Sequence, residues 1–254
     1  MFAAQPVTPI QDIVFLLDVD NTLLDGDRIV TDFTHHLESA LGTRAAHRFW
    51  EISGALREDL GYVDYLGALQ RCRADDVPAG GDGSGLLQVA SFLLDYPFEE
   101  RLYPRAMEVL QRLNTLGATV ILSDGDVVLQ PRKIIRSGLW AAVSGRVVVC
   151  ARKERRIDLV QRLHPARHYV MIDDKPRVLA AMKSALGDRV TTVLPRQGHY
   201  ALDAVEIASH PPPDVSVACI GDLADQDIRP LLGSLVVRGE RVPAAFAGRL
   251  GQRG

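Results

Sequence analysis

The stretch IVFLLDVDNTLL at residues 13–24 joins an unbroken apolar run to two aspartates, Asp18 and Asp20. Two carboxylates this close repel each other, and burying either one without a partner costs on the order of several kcal/mol. The stretch is therefore either a junction between a strand and a turn with solvated aspartates, or one part of a cation-binding site. The residues that follow the other apolar runs decide between these two interpretations.

The composition is that of a globular protein without a broadly basic surface. Of the 254 residues, 47% are hydrophobic and 24% are charged, and the net charge is -3. This charge gives nucleic-acid binding no support, and no apolar run approaches the ~18 residues of a membrane span. The N-terminal residues lack the basic and apolar segments of a signal peptide. The sequence leaves the oligomeric state open.

The cysteines indicate a reducing environment. Cys72, Cys150 and Cys219 are odd in number and widely spaced, and they form no C-x-x-C pair. A disulfide framework is therefore not expected, and a cytoplasmic location fits best. Cys150 and Cys219 each end an apolar run, so we interpret both as small buried hydrophobic residues.

Six short apolar runs rich in β-branched residues predict the strands of one sheet. Their hydrophobicity is continuous, which is typical of parallel strands buried on both faces. Helical patterns lie between them, so the sequence predicts an α/β fold: a Rossmann-like open parallel sheet with helices on both faces. The six runs cover residues 13–17, 118–122, 146–150, 168–172, 189–194 and 215–220.

The region between residues 28 and 97 follows a different pattern. Its periodicity is helical, it contains no strand run, and a stretch rich in Gly and Pro at residues 75–85 interrupts it. We interpret residues 28–97 as a helical cap domain inserted after the first strand. Residues 1–27 and 98–254 then form the α/β core domain.

Polar residues follow three of the predicted strands, at the edge where a parallel sheet binds its ligands. Each group by itself is also typical of turns and helix N-caps. Together, however, the four carboxylates of the two paired acids, at residues 18 and 20 and at residues 173 and 174, need a cation at one edge, and hard oxygen ligands favour Mg²⁺. The residues are Asp18 and Asp20 after the first run, Ser123, Asp124 and Gly125 after the second, and Asp173 and Asp174 after the fourth.

In their order and separation these residues resemble the motifs of the haloacid dehalogenase-like (HAD) superfamily. The first family motif, Asp-x-Asp-x-Thr, is present as residues 18–22. The second, a serine after an apolar strand, is Ser123, and the fourth, a pair of acids, is Asp173-Asp174. The helical insertion after the first motif is similar to the C1-type cap of that family.

The third family motif is a single lysine, and the chain offers three candidates. Lys153 fits the family spacing best because it opens the helical pattern before the acidic strand. Lys133 is the next candidate, and Lys175 is also available. Only four of the 29 basic residues are lysines, the fourth being Lys183, so a lysine is more informative here than usual.

The resemblance implies phosphoryl transfer through an aspartyl-phosphate. Asp18 would be the nucleophile, and Asp20 would protonate the leaving group and then activate water. Mg²⁺ would be bound by Asp18, Asp20 through its backbone carbonyl, Asp173 and Asp174. The residues implied at the phosphate are Thr22, which fixes the loop, and Ser123, Asp124, Gly125 and Lys153.

The favoured hypothesis is a Mg²⁺-dependent phosphatase that acts on a small phosphorylated metabolite. A phosphomutase or phosphotransferase with the same intermediate is an alternative, as is a non-catalytic module that binds phosphate or Mg²⁺. Asp20 argues against the dehalogenase branches of the family, because a halide leaving group needs no proton. The cap should exclude water and select the substrate, but the sequence does not indicate which of its residues contact it.

Overall fold

A six-stranded parallel sheet forms the centre of the protein in the computed structural model, which describes residues 9–75, 84–228 and 231. The strand order is β3-β2-β1-β4-β5-β6, and every neighbouring pair is parallel. The α/β fold with an open parallel sheet is thereby confirmed. The strands are β1 (Gln11–Leu17), β2 (Ala118–Asp124), β3 (Val147–Cys150), β4 (Ala166–Ile172), β5 (Val190–Pro195) and β6 (Val215–Val217).

The central position of β1 brings the polar strand ends together. Its last residue, Leu17, aligns with Ile121 of β2 on one side and with Ile172 of β4 on the other. The residues that follow these positions in each strand therefore lie side by side at one edge of the sheet.

Helices cover both faces of the sheet, as the continuous hydrophobicity predicted. Alternate residues of β1 enter different clusters: Phe15 and Leu17 pack in one, and Val14 and Leu16 pack in the other. The core helices are α5 (Ala106–Asn114), α6 (Leu129–Arg136), α7 (Leu139–Ala142), α8 (Ile157–Leu163), α9 (Pro176–Leu186), α10 (Gly198–Leu202) and α11 (Ala204–Ala208). Short 3₁₀ helices span Phe98–Arg101, Lys153–Arg155, Gly187–Arg189 and Ile220–Ala224.

Between β1 and α5, four helices of the described residues lie where the sequence predicts a cap. The first begins at Gly26, two residues before the predicted boundary, and the Asp25 side chain accepts a hydrogen bond from the Arg28 N–H at its start. Rings of Phe33, Phe49 and Trp50 pack edge to face in the centre of these helices. The helices are α1 (Gly26–Leu41), α2 (Thr43–Leu60), α3 (Tyr65–Asp75) and α4 (Ser84–Asp95).

The predicted domain boundaries stay a prediction, since the secondary structure alone does not define a domain. Most of the stretch rich in Gly and Pro, residues 76–83, lies outside the described residues. Within the described part of residues 28–97, no strand is present.

The two chain crossings between these helices and the sheet are hydrogen-bonded to each other. The Asp25 N–H donates to the Arg101 carbonyl oxygen at 2.8 Å, and the Tyr103 N–H donates to the Leu23 carbonyl oxygen at 2.9 Å. The side chain of Asp32 in α1 then binds Arg101 at 3.2 Å. The crossings thus form a paired connection rather than two separate linkers.

The prediction for the last strand and its cysteine was partly wrong. β6 ends at Val217, three residues before the end of the apolar run. Cys219 is exposed, because the chain leaves the sheet there and begins the 3₁₀ helix Ile220–Ala224. Cys150 at the end of β3 is only partly buried. Neither cysteine is the fully buried hydrophobic residue that its apolar run indicated.

Candidate active site

Asp18 lies directly after β1 and is almost completely buried, with 1% of its surface exposed. The Lys153 Nζ lies 2.5 Å from its Oδ1, and the Ser123 hydroxyl lies 3.4 Å from the same oxygen. The Lys175 Nζ is 3.7 Å from its Oδ2. Burial raises the pKa of Asp18, but the charges of Lys153 and Lys175 outweigh it and hold the pKa below its ordinary value. The two lysine charges therefore favour the ionised form of Asp18.

Lys153 is completely buried between two carboxylates. Its Nζ lies 2.5 Å from Asp18 Oδ1 and 2.7 Å from Asp173 Oδ2. Burial lowers the pKa of Lys153, but the negative charges of Asp173 and Asp18 raise it by more, so the pKa lies above its ordinary value. Its backbone N–H also donates to Asp124 Oδ1 at 2.7 Å. The lysine favoured by family spacing thus lies beside the proposed nucleophile.

Asp20 occupies a separate position, held by two side chains of α6. The Lys133 Nζ lies 2.7 Å from its Oδ1, and the Gln130 amide donates to its Oδ2 at 3.1 Å. Gln130 also donates to the Ser123 hydroxyl at 2.9 Å, which couples Asp20 to the end of β2. The sequence analysis weighed Lys133 only as a substitute for Lys153 and overlooked Gln130. The rarity of lysine was the available signal, because three of the four lysines lie at this site.

The acids after β4, Asp173 and Asp174, are fully buried. The Asp174 N–H donates to the Thr22 hydroxyl at 3.1 Å. The Lys175 Nζ is 3.8 Å from Asp174 Oδ1, and no hydrogen bond from the described residues reaches either carboxyl oxygen of Asp174. Burial raises the pKa of Asp174 well above its ordinary value of 3.8, and the charges of Asp173 and Asp18 add to this despite the nearby Lys175.

The three buried acids fit a divalent cation. Asp18, Asp173 and Asp174 each offer one oxygen, and these oxygens lie within 4.8 Å of one another. Asp18 Oδ2 and both oxygens of Asp174 are buried without a hydrogen-bond partner among the described residues. A set of hard, anionic oxygen donors suits Mg²⁺. The Asp20 side chain does not belong to this cluster, since Lys133 and Gln130 hold it.

The remaining residues predicted at the phosphate take different positions. Thr22 is fully buried, and its hydroxyl joins the first loop to the Asp174 N–H, which fits the loop-fixing role. Asp124 and Gly125 line the cavity described below. The Gly125 N–H donates to the Cys150 carbonyl oxygen at 3.2 Å. These positions bring all the predicted site residues to one edge of the sheet, but they do not test the roles assigned to them.

A cavity of about 530 Å³ opens between α1, α2 and this edge of the sheet. Aromatic side chains, Trp50, Tyr62, Tyr65 and Tyr200, form much of its wall. Burial, with a contribution from the charge of Asp20, raises the pKa of Tyr65. The cavity is of the size that holds a small organic molecule.

A segment after β5, residues 197–200, forms part of the site that the sequence analysis missed. The Gln197 amide donates to the carbonyl oxygens of Asn21, at 3.1 Å, and Thr22, at 2.8 Å. The His199 N–H donates to Asp27 Oδ2 at 2.8 Å, and its ring lies 2.6 Å from Asp27 Oδ1. No motif marks this segment, because its contacts are with residues nearly 180 positions away.

Comparison with known proteins agrees with this geometry. The model of the haloacid dehalogenase-like hydrolase family matches residues 14–185. A solved structure of a protein described as a haloacid dehalogenase-like hydrolase, from Burkholderia xenovorans LB400, is similar at 56% sequence identity. It has a TM-score of 0.80, and the match covers 86% of this chain and 100% of that chain. The protein is thus of the hydrolase class. The chain belongs to the haloacid dehalogenase-like hydrolase family.

More distant solved structures share the fold. A haloacid dehalogenase-like family hydrolase from Xanthomonas campestris is 18% identical with a TM-score of 0.65, and the match covers 91% of this chain and 99% of that chain. The L-2-haloacid dehalogenase of Xanthobacter autotrophicus is 17% identical with a TM-score of 0.52, and coverage is 90% and 99%. A search of curated proteins gave no match. None of the helices within the described residues has the length and apolar character needed to cross a bilayer.

Proposed function

We propose that this hydrolase is a Mg²⁺-dependent phosphatase that acts on a small phosphorylated metabolite through an aspartyl-phosphate. The observation that carries the proposal is the separation of two carboxylates in different environments. Asp18 is buried and ionised beside Lys153, whereas Asp20 lines the open cavity and is held by Lys133 and Gln130. One acid can therefore attack while the other moves protons.

The charge balance of the site supports a divalent cation. Five carboxylates face three ammonium groups, so the site carries a formal charge of -2 when all five acids are ionised, and a bound cation would favour that ionised form over the protonated one that burial promotes at Asp174. A phosphate monoester would be repelled unless positive charge were added. The carboxylates are Asp18, Asp20, Asp124, Asp173 and Asp174, and the ammonium groups are Lys133, Lys153 and Lys175.

The proposed reaction has two steps. In the first, a carboxylate oxygen of Asp18 attacks phosphorus, the ester P–O bond breaks, and Asp20 gives its proton to the leaving oxygen. In the second, water attacks the phosphoryl group, Asp20 takes a proton from that water, and phosphate leaves with Asp18 restored. The Ser123 hydroxyl and the Lys153 ammonium are placed to hold phosphoryl oxygens. Bound Mg²⁺ would supply positive charge at Asp18, Asp173 and Asp174.

A metal-independent dehalogenase is the second candidate. The lysines around Asp18 favour it, because Lys153 and Lys175 already lie near both carboxylate oxygens of the nucleophile. A dehalogenase, however, has no use for an acid in the position of Asp20. The odd number and wide spacing of the cysteines favour a cytoplasmic setting, as the sequence predicts.

The decisive experiment measures phosphate release from p-nitrophenyl phosphate and a panel of phosphorylated metabolites, with Mg²⁺ and with EDTA. Wild type should release phosphate only with Mg²⁺. Asp18→Asn should lose at least about 10³-fold in activity, since it removes the nucleophile. Product analysis on each metabolite separates phosphate release from the isomer formation of a mutase.

The matched control is Asp158→Asn, because Asp158 is an exposed acid on α8, paired with Arg162 and away from the cavity. It should behave as wild type. Activity that survives Asp18→Asn or EDTA would sink the proposal. Halide release from a 2-haloacid that depends on Asp18 but not on Mg²⁺ would favour the dehalogenase instead.

A further inference from the structure

Arg57 is a cavity-lining cation that the proposed phosphatase reaction does not use. It lies in the last turn of α2, on the cap side of the cavity. Its guanidinium donates a hydrogen bond to the Tyr200 hydroxyl. Within the described residues, no carboxylate lies within ion-pair distance of it.

The other basic side chains of the cavity are already neutralised. Lys133 pairs with Asp20, Lys175 is close to two acids of the catalytic edge, and Arg177 lies 3.1 Å from Glu154 Oε1. Arg57 is thus the one Lys or Arg of the cavity wall without a carboxylate partner in the part of the chain that is described.

Tyr200 links Arg57 to the catalytic edge. The centre of its ring lies 5.9 Å from the Arg57 Cζ and 5.7 Å from the Lys175 Nζ. The Lys175 Nζ in turn lies 3.7 Å from Asp18 Oδ2. A molecule in the cavity can therefore present one anionic group to the catalytic edge and a second one to Arg57.

We propose that the substrate is a phosphate monoester that also carries a carboxylate, and that Arg57 binds this carboxylate with Tyr200 beside it. The inference rests on the proposed phosphatase function and adds the substrate class. A guanidinium binds a carboxylate through two parallel N–H···O bonds. The Tyr200 hydroxyl accepts from Arg57, and its own proton is available for a substrate oxygen.

Charge favours a carboxylate over a second phosphate at this position. A carboxylate carries one negative charge, which Arg57 alone balances, whereas a phosphate group carries about -1.5 to -2 at neutral pH. A second phosphate would need another cation, and the remaining cavity cations are paired. Between the two ends, Trp50, Tyr62 and Tyr65 line the cavity and suit the carbon chain or ring of a phosphorylated hydroxy acid or sugar acid.

The test compares substrates that differ only in the carboxylate. The pairs are phosphoglycolate with hydroxyethyl phosphate, phosphoglycerate with glycerol phosphate, and phosphogluconate with sorbitol phosphate. Wild type should prefer the acid in at least one pair by about 10- to 100-fold in kcat/KM. Arg57→Gln should abolish that preference, mainly through a higher KM for the acid. Arg57→Lys should retain part of the preference, because lysine keeps the positive charge but lacks the two parallel N–H donors of the guanidinium.

Arg48→Gln is the matched control, because Arg48 is exposed on the same helix and does not line the cavity. Its preference should equal that of wild type. No preference for the acid in any pair, or a preference that survives Arg57→Gln, would overturn the inference. Hydrolysis of p-nitrophenyl phosphate that depends on Mg²⁺ and Asp18 tests the proposed function separately, so its loss is distinguishable from a failure of acid selectivity alone.

Discussion

The two sides of the cavity differ in how deeply their charged side chains are buried and in how these side chains are paired. Beneath the sheet side of the cavity, Asp18 and Lys153 are almost fully buried, and each lies close to an opposite charge. On the cap side, Trp50 and Tyr62 are partly exposed, and Arg57 donates to the Tyr200 hydroxyl but pairs with no carboxylate of the described residues. A buried charge needs an oppositely charged partner because its desolvation is costly. A solvent-exposed charge is stabilised by water, so it needs no such partner and stays available to bind a ligand. This contrast is what the proposed reaction at the buried acids and the proposed substrate recognition by Arg57 both require.

Removal of the buried Lys153 should have the largest effect on both activity and stability. Lys153→Met leaves Asp18 and Asp173 close together without the cation between them, and we expect kcat/KM to fall by about 10²- to 10³-fold. Loss of one partner of a buried pair should also lower the free energy of unfolding by about 3–5 kcal/mol in EDTA. Urea unfolding with and without Mg²⁺ measures this, and Mg²⁺ should recover part of the loss.

Lys183→Met is the control for this substitution. Lys183 is 40% exposed and pairs with Asp214 at the surface, so its loss should cost no more than about 1 kcal/mol. If the two variants are equally stable and active, the buried charges of the sheet side do not need their cation.

The sheet side was also the part that the sequence could predict. A short, continuous and β-branched apolar run such as that of β1 is typical of a strand buried on both faces, and parallel strands bring their ends to one edge. The positions of Asp18, Ser123 and Asp173 follow from this topology. Strand limits were less accurate: β2 extends two residues further to Asp124, whereas β6 is shorter than its run.

The cap side and its contacts could not be predicted, because they depend on long-range packing. Arg57 and Tyr200 are separated by 143 residues, and neither belongs to a local pattern. The same holds for Asp27 and His199, which are 172 residues apart. Such pairs become visible only when the helices of the cap have been placed over the sheet.

Lys133 lines the cavity, and its removal should have an intermediate effect. It is 12% exposed and holds the carboxylate of Asp20. We expect Lys133→Met to lower kcat by about 10-fold because Asp20 loses its fixed orientation, while KM and stability change little. Steady-state kinetics with p-nitrophenyl phosphate and a urea unfolding curve measure these quantities.

Arg136→Met in the same helix serves as the control, since Arg136 contacts Asp95 and does not line the cavity. It should leave kcat unchanged. An unchanged kcat in Lys133→Met would show that Asp20 needs no support from α6. A large rise in KM instead would place Lys133 at the substrate rather than behind the acid.

The smallest effect is expected at the connection between cap and sheet. Asp32 in α1 accepts a hydrogen bond from the Tyr96 hydroxyl at 2.6 Å and pairs with Arg28 and Arg101. Burial raises the pKa of Asp32, but the Tyr96 hydrogen bond and the two arginine charges outweigh it, so its pKa lies below the ordinary 3.8. Asp32→Asn should therefore lower the free energy of unfolding by up to about 1 kcal/mol near pH 6, because the pair is partly solvated.

The pH dependence of that difference has a definite sign. A lowered pKa in the folded state gives stability that is fully present above the ordinary value of 3.8 and disappears as the pH falls through the lower folded value. The gap between wild type and Asp32→Asn should thus be constant above about pH 5 and shrink as the pH falls through 3.8 and below it, in urea titrations with exposed Glu38→Gln on the same helix as the baseline. A gap that is constant or widens in acid would mean that Asp32 acts through its shape and not its charge.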